Sequence, residues 1–294
     1  MTSKGKVQPA SQDSKHANFI HRAQSDGRLR QAQLKMVNML HVIDQVCQKY
    51  KLDYWLEGGT LLGAIRHQGF IPWDDDLDIS MPRASFEAFL KLAPSEIPSH
   101  MHLQTPKSDP GYFNLSVPLK IRDRNSRFIE IHETGKEPYQ QGIFIDVFVY
   151  DAMPANSQQR KREKWLSKRV LRLLTHKYSA AQMGHHAKVY AAIANLIPKT
   201  YLEAKLQQFI EQAKLSDSLY LGYGYDCVNA NLVTREDIYP LKRAAFETGE
   251  FLIPNKAEVI LSQLYGDYMT LPPEHERRMK HCRELIPVLD EVIG

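Results

Sequence analysis

The segment Glu57–Ser80, EGGTLLGAIRHQGFIPWDDDLDIS, constrains this chain more than any other. It carries Gly58-Gly59 at one end and Asp74, Asp75, Asp76 and Asp78 at the other. Carboxylates packed that closely repel one another unless water, a shared proton or a cation relieves them. Acidic runs usually belong to a solvated face. This one lies between apolar FIPW and ISMP and alternates with Leu77 and Ile79. Period-two alternation puts Asp76, Asp78 and Ser80 on one face of a half-buried strand and Leu77 and Ile79 on the other. Two carboxylates side by side on such a face call for a shared proton or a hard cation held by oxygen.

Asp74, Asp76 and Asp78 match positions 1, 3 and 5 of a calcium-binding EF-hand loop. That loop needs glycine at position 6 and glutamate at position 12, where this chain has Ile79 and Ser85, so an EF-hand is rejected. A Mg²⁺ or Mn²⁺ site made by two carboxylates and completed by substrate phosphates fits better. The glycine end fits the same chemistry. LDYWLE (52–57) reads as a buried strand, Gly58-Gly59 as a tight turn, and TLLGAIRH as a short helix opening just after it. Backbone N–H groups at a helix start can hold a phosphate, and glycine lets it come close. A third acid, Asp146, lies in the apolar strand GIFIDVFVYD (142–151) and is a candidate metal ligand or general base.

With 294 residues, 43% of them hydrophobic, the chain can bury a sizeable core. The first 28 residues or so are polar and aperiodic and are expected to be a disordered tail; residues 29–294 are expected to form a single catalytic domain. An amphipathic helix is predicted from Leu29 to near Tyr50, and another over Ala84–Leu92. SVPLKIRD places Lys120 and Arg122 on one strand face. Short strands with flanking helices predict an α+β fold built on a mixed sheet. A basic helical insertion is expected at about 155–215, beginning with RKREKWLSKRVLRLLTHKY. Three scattered cysteines, Cys47, Cys227 and Cys282, argue against a disulfide framework or a cysteine-rich zinc site. The apolar VYAAIANLIP is about half the ~20 residues needed to span a bilayer. These features predict a cytoplasmic protein, with the basic helix able to rest on an anionic membrane.

The ordered motifs WLEGGTLLGAIRHQGFIPWDDDLDISMPR, GIFIDVFVYDAMP, FETGEFLIP and YGDYMTLPP resemble the LicD family of phosphotransferases, within the nucleotidyltransferase superfamily. Fukutin-related proteins belong to the same broad group. The resemblance implies a nucleotidyltransferase-like fold and transfer of phosphocholine from CDP-choline to a sugar hydroxyl of a surface glycan, of lipopolysaccharide or teichoic acid type, releasing CMP. Transfer of ribitol phosphate or glycerol phosphate from the CDP-alcohol, or nucleotidyl transfer to a small acceptor, is the alternative within enzymes. A membrane-associated binding protein that keeps the fold is the alternative outside them. The family's metal acids fall on Asp76, Asp78 and Asp146, with Asp74 nearby. Gly58, Gly59, Thr60, Arg66, Lys120 and Arg122 are phosphate-binding candidates, and Tyr54, Trp55, Phe70 and Trp73 are candidates for an aromatic cage around choline. Zinc is not expected, and the match to the glycan branch sets nucleic acid aside as a partner. Tyr265, Asp267 and Tyr268 fall in a family motif with a capping or substrate-contact role. His185, His186, His275 and His281 lack zinc-protease spacing and are read as surface or packing residues.

Overall fold

A computed structural model describes residues 27–178 and 194–288. Residues 1–26 of the predicted N-terminal tail and the first half of VYAAIANLIP therefore lie outside the described residues. The chain opens with α1 (Arg28–Tyr50), whose apolar stripe of Met36, Val37, Leu40 and Ile43 is buried. Next come β1 (Trp55–Leu56), α2 (Gly58–His67), β2 (Asp78–Pro82), α3 (Arg83–Leu92), β3 (Met101–Gln104), β4 (Leu119–Asp123), β5 (Arg127–Glu130) and β6 (Phe144–Ala152). Two long helices, α4 (Ser157–Tyr178) and α5 (Lys199–Lys214), pack on each other before the chain returns as β7 (Tyr220–Tyr223) and β8 (Val233–Thr234). The short α6 (Arg235–Ile238), the hairpin β9 (Lys242–Phe246) and β10 (Gly249–Ile253), α7 (Ala257–Tyr265) and β11 (Cys282–Ile286) complete it.

The main sheet runs β1-β2-β6-β4-β3, with β7 paired to β6 and β8 to β7. Only β2 and β6 pair in parallel within it; the other pairs are antiparallel, so the expected mixed α+β sheet is present. A separate ribbon joins β11 to β5. Leu77, Ile79, Met81, Ile145, Val147 and Val149 lie in the core below the sheet's polar row. The strand expected over LDYWLE shortens to Trp55–Leu56, because α2 opens at Gly58 itself. Gly58 has φ +53°, a left-handed conformation that glycine adopts without a Cβ penalty. Pro198 caps α5, consistent with a break in the helical insertion there.

Candidate active site

Strand register assembles the centre of the site. Asp78 on β2 stands beside Asp146 on β6, and Asp146 beside Lys120 on β4. Carboxylate, carboxylate and ammonium thus form one row across three strands. Lys120 Nζ donates to Asp146 Oδ1 at 2.8 Å and Oδ2 at 3.1 Å, and to Glu130 Oε1 at 3.3 Å. Burial raises the Asp146 carboxyl to about 6 although Lys120 pulls it back. Burial also favours the neutral form of Glu130, but Lys120 and Arg122 overcome it and hold that carboxyl at about 2.

The glycine end meets the aspartate end directly. A Cβ on Gly59 would lie 3.0 Å from Asp74 Oδ2, and one on Gly58 would lie 3.5 Å from Asp78 Oδ2. The start of α2, the positive end of its dipole, therefore abuts both carboxylates. The Asp78 backbone N–H donates to the Thr60 hydroxyl at 2.8 Å, and the Glu57 N–H to the Asp78 carbonyl at 3.0 Å. Burial, then the charges of Asp76, Asp146, Asp74 and Glu57, push the Asp78 carboxyl well above the usual range. Burial followed by Asp76 and Asp75 does the same to Asp74.

These groups open onto a cleft of about 710 Å³, whose lining includes Asp74, Asp76, Asp78, Trp73, Arg66 and Gly59. Its remaining walls come from the C-terminal quarter: Tyr265 at the end of α7, Asp267, Tyr268, Lys280 and His281. Asp75 brings that segment in. Its buried carboxylate accepts N–H bonds from Lys280 (3.2 Å), His281 (3.1 Å) and Cys282 (2.7 Å). His281, read as a surface or packing residue from sequence, stands 3.3 Å from the Asp76 carboxylate. Among the described residues, Asp75, Asp76 and His281 present ligand atoms within 4.8 Å of one another. Asp78 and Asp146 are outside that group, and Asp146 is occupied by Lys120.

The other candidates divide. Arg66 lines the cleft and donates to the Tyr268 carbonyl at 2.6 Å. Arg122 is fully buried, its guanidinium given to Gln104, the Gly142 carbonyl and Glu130. Tyr54, Trp55 and Phe70 belong to the core: Tyr54 donates to Asp44 at 2.7 Å, Trp55 packs edge-on to Tyr150, and Phe70 tilts against Phe246. Of the four aromatic candidates, Trp73 lines the cleft, beside Tyr265 and Tyr268. Glu57, not singled out from sequence, is buried next to Asp78 and accepts hydrogen bonds from Trp55, Ser80, Tyr150 and Tyr223. Burial raises its carboxyl, against the pull of those donors. Neither Glu57 nor Lys280 has a local sequence signature, because Ser80, Tyr150 and Tyr223 reach Glu57, and Asp75 reaches the Lys280 backbone, from farther along the chain.

Residues 51–177 match the family described as "LicD/FKTN/FKRP, nucleotidyltransferase domain". Over 266 residues the chain is 30% identical to the lipopolysaccharide cholinephosphotransferase LicD of Haemophilus influenzae, covering 87% of this chain and 97% of that protein. A shorter stretch of 28 residues is 64% identical to the ribitol 5-phosphate transferase FKRP of mouse and of human, covering 10% of this chain and 6% of each relative. An acidic cleft on a mixed sheet and a relative matched over nearly its whole length make this chain a phosphotransferase. It belongs to the LicD family.

Proposed function

We propose that the protein transfers phosphocholine from CDP-choline to a sugar hydroxyl of a cell-surface glycan of lipopolysaccharide type, releasing CMP. The observation that carries this reading is the gathering of Asp74, Asp76 and Asp78 with Arg66, Lys280 and three aromatic rings in one cleft. The donor set fits a hard divalent cation. Several oxygen ligands crowd one wall, burial and then mutual repulsion raise the carboxyls of Asp74 and Asp78 in a way that a bound cation would reverse, and the glycines leave no Cβ between helix start and carboxylates. Asp76 and Asp78, with Asp146 beside them, would hold Mg²⁺ or Mn²⁺; when bound, it supplies charge neutralisation on the diphosphate and the leaving CMP.

The protein's own groups do the rest. Lys280 and Arg66 face the diphosphate as cationic donors. The N–H groups at the start of α2 point to the same place. Asp74 takes the proton of the acceptor hydroxyl on a carboxylate oxygen, being in the cleft where Asp146 is tied to Lys120. Trp73, Tyr265 and Tyr268 receive the trimethylammonium group on their faces, at about 0.5–2 kcal/mol per contact. Among the described residues no helix is long and apolar enough to cross a membrane. Residence at the inner face of the cytoplasmic membrane, through exposed Arg162, Arg169 and Arg172 of α4, accompanies this reading when the acceptor is lipid-linked.

The test is CMP release and product formation with Mg²⁺ and a panel of CDP-choline, CDP-ribitol and CDP-glycerol. CDP-choline is expected to be turned over fastest, and Asp76→Asn or Asp78→Asn to lose the activity while remaining folded. Near-normal turnover in either variant would remove the assignment of these carboxylates. Preference for CDP-ribitol would move the donor to the reading that the short FKRP match favours.

A further inference from the structure

The basic face of α4 is not uniform. Lys164 is 6% exposed, and its ammonium donates to three backbone carbonyls, of Tyr223 (2.7 Å), Gly224 (2.5 Å) and Cys227 (2.9 Å). The carbonyls satisfy its donors, burial disfavours its charge, and Asp226 and Asp151 offset that burial only in part, without pairing with it. Among the described residues no carboxylate forms an ion pair with Lys164. Lys161 and Lys168 lie three and four residues away on the same helix face, and neither is ion-paired among the described residues. Arg160 adds a fourth cation, anchored to the Pro154 and Ala155 carbonyls.

These four side chains line a cavity of about 500 Å³ that, among the described residues, has no acidic residue in its walls. Hydrogen bonds through Glu57 link its lining to the transfer site. Tyr223 lines it and donates from its hydroxyl to Glu57 at 3.1 Å. Asn231 lines it too and donates to the Tyr150 hydroxyl, which itself donates to Glu57. Glu57 is in turn bonded to the backbone of Asp78. Cations around a cavity favour an anion, and a position joined to the transfer site through Tyr223 and Glu57 favours an anion belonging to a substrate. The donor diphosphate already has Arg66 and Lys280 in the other cleft.

We propose that this cavity binds a phosphate group carried by the acceptor glycan, and so holds the acceptor beside the carboxylate cleft. The proposal rests on the transferase reading above. Purified protein is titrated calorimetrically at low salt with inorganic phosphate, glucose 6-phosphate and glucose, and separately mixed with phosphatidylglycerol vesicles. Glucose 6-phosphate and phosphate are expected to bind and glucose not to. Combining Lys161→Glu with Lys168→Glu should weaken phosphate binding by about ten-fold or more, whereas Arg172→Glu, the same kind of reversal on an exposed α4 residue outside the cavity, should change it by less than about two-fold. Lys161→Glu alone, at an exposed position, gives the same direction of change if the double variant does not fold. No binding of soluble phosphates by the wild type, an equal loss in Arg172→Glu, or binding to vesicles only would overturn the proposal. The titration contains no CDP-alcohol. Its failure leaves CMP release by the carboxylate cleft intact, and failure of CMP release leaves the phosphate titration readable.

Discussion

Asp78 is the residue on which the electrostatics of the cleft converge. It is raised by burial and then by four neighbouring acids, Asp76, Asp146, Asp74 and Glu57. Unfolded aspartates titrate near ~3.9. Asp78, Asp74 and Asp146 hold their protons to higher pH when folded, Asp146 to about 6. The folded protein therefore binds more protons than the unfolded chain across that interval. The stability these acids contribute is complete below about pH 4 and is lost as pH rises through their folded values. In EDTA, Asp78→Asn is expected to raise the melting temperature at pH 7–8 and to narrow the difference from pH 5. Thermal melts of both proteins across that range check this, and an unchanged or lower melting temperature at pH 8 would show that the acids do not repel. In the wild type, Mg²⁺ should raise the melting temperature at pH 8 and do so less in Asp78→Asn. Turnover of the variant should fall by more than about 100-fold, since even outer-shell changes at metal sites commonly cost 10–100-fold.

At the scale of elements, the Asp78–Asp146–Lys120 row depends on β2, β6 and β4 being neighbours in one register. Replacing Lys120 with Met leaves Asp146 and Glu130 buried without their shared cation. A loss of about 3–5 kcal/mol in unfolding free energy is expected by urea denaturation. A loss under 1 kcal/mol would mean that water or protonation replaces the lysine without difficulty. Strand alternation was enough to place Lys120 and Arg122 on one face, and to separate Leu77 and Ile79 from Asp78. It could not say that the basic face would be covered. That depends on Glu130 and Gln104, which reach Lys120 and Arg122 from β5 and β3 only after folding. The aromatic candidates misled for a related reason. Tyr54 and Trp55 sit beside the motif in sequence, but the chain from Tyr54 to Glu57 runs through the core, where Asp44 and Glu57 receive their polar atoms. Trp73 is in the cleft because it follows the loop that carries the chain from α2 to the aspartates.

At the scale of the molecule, the cleft is closed by residues some two hundred positions from the acids they face, and Asp75 is what holds them there. Three successive N–H groups, of Lys280, His281 and Cys282, converge on its carboxylate. The same contact starts β11, which pairs with β5, and sets Lys280 and His281 along the cleft wall. In sequence Asp75 is indistinguishable from its neighbours, and strand alternation only separates it from Asp76 and Asp78. Its structural role follows from a partner 205 to 207 residues away. Asp75→Ala leaves those N–H groups without an acceptor, which should cost about 1–3 kcal/mol and loosen the segment from Gly266 to His281 before the rest of the protein. Limited trypsin digestion is then expected to cut at Arg277, Arg278 or Lys280 well before global unfolding, with turnover reduced because Lys280 leaves the cleft. Asp75→Asn, whose amide oxygen still accepts hydrogen bonds, should restore part of the protection. Cleavage of Asp75→Ala no faster than wild type would mean that the β11–β5 ribbon alone anchors the segment.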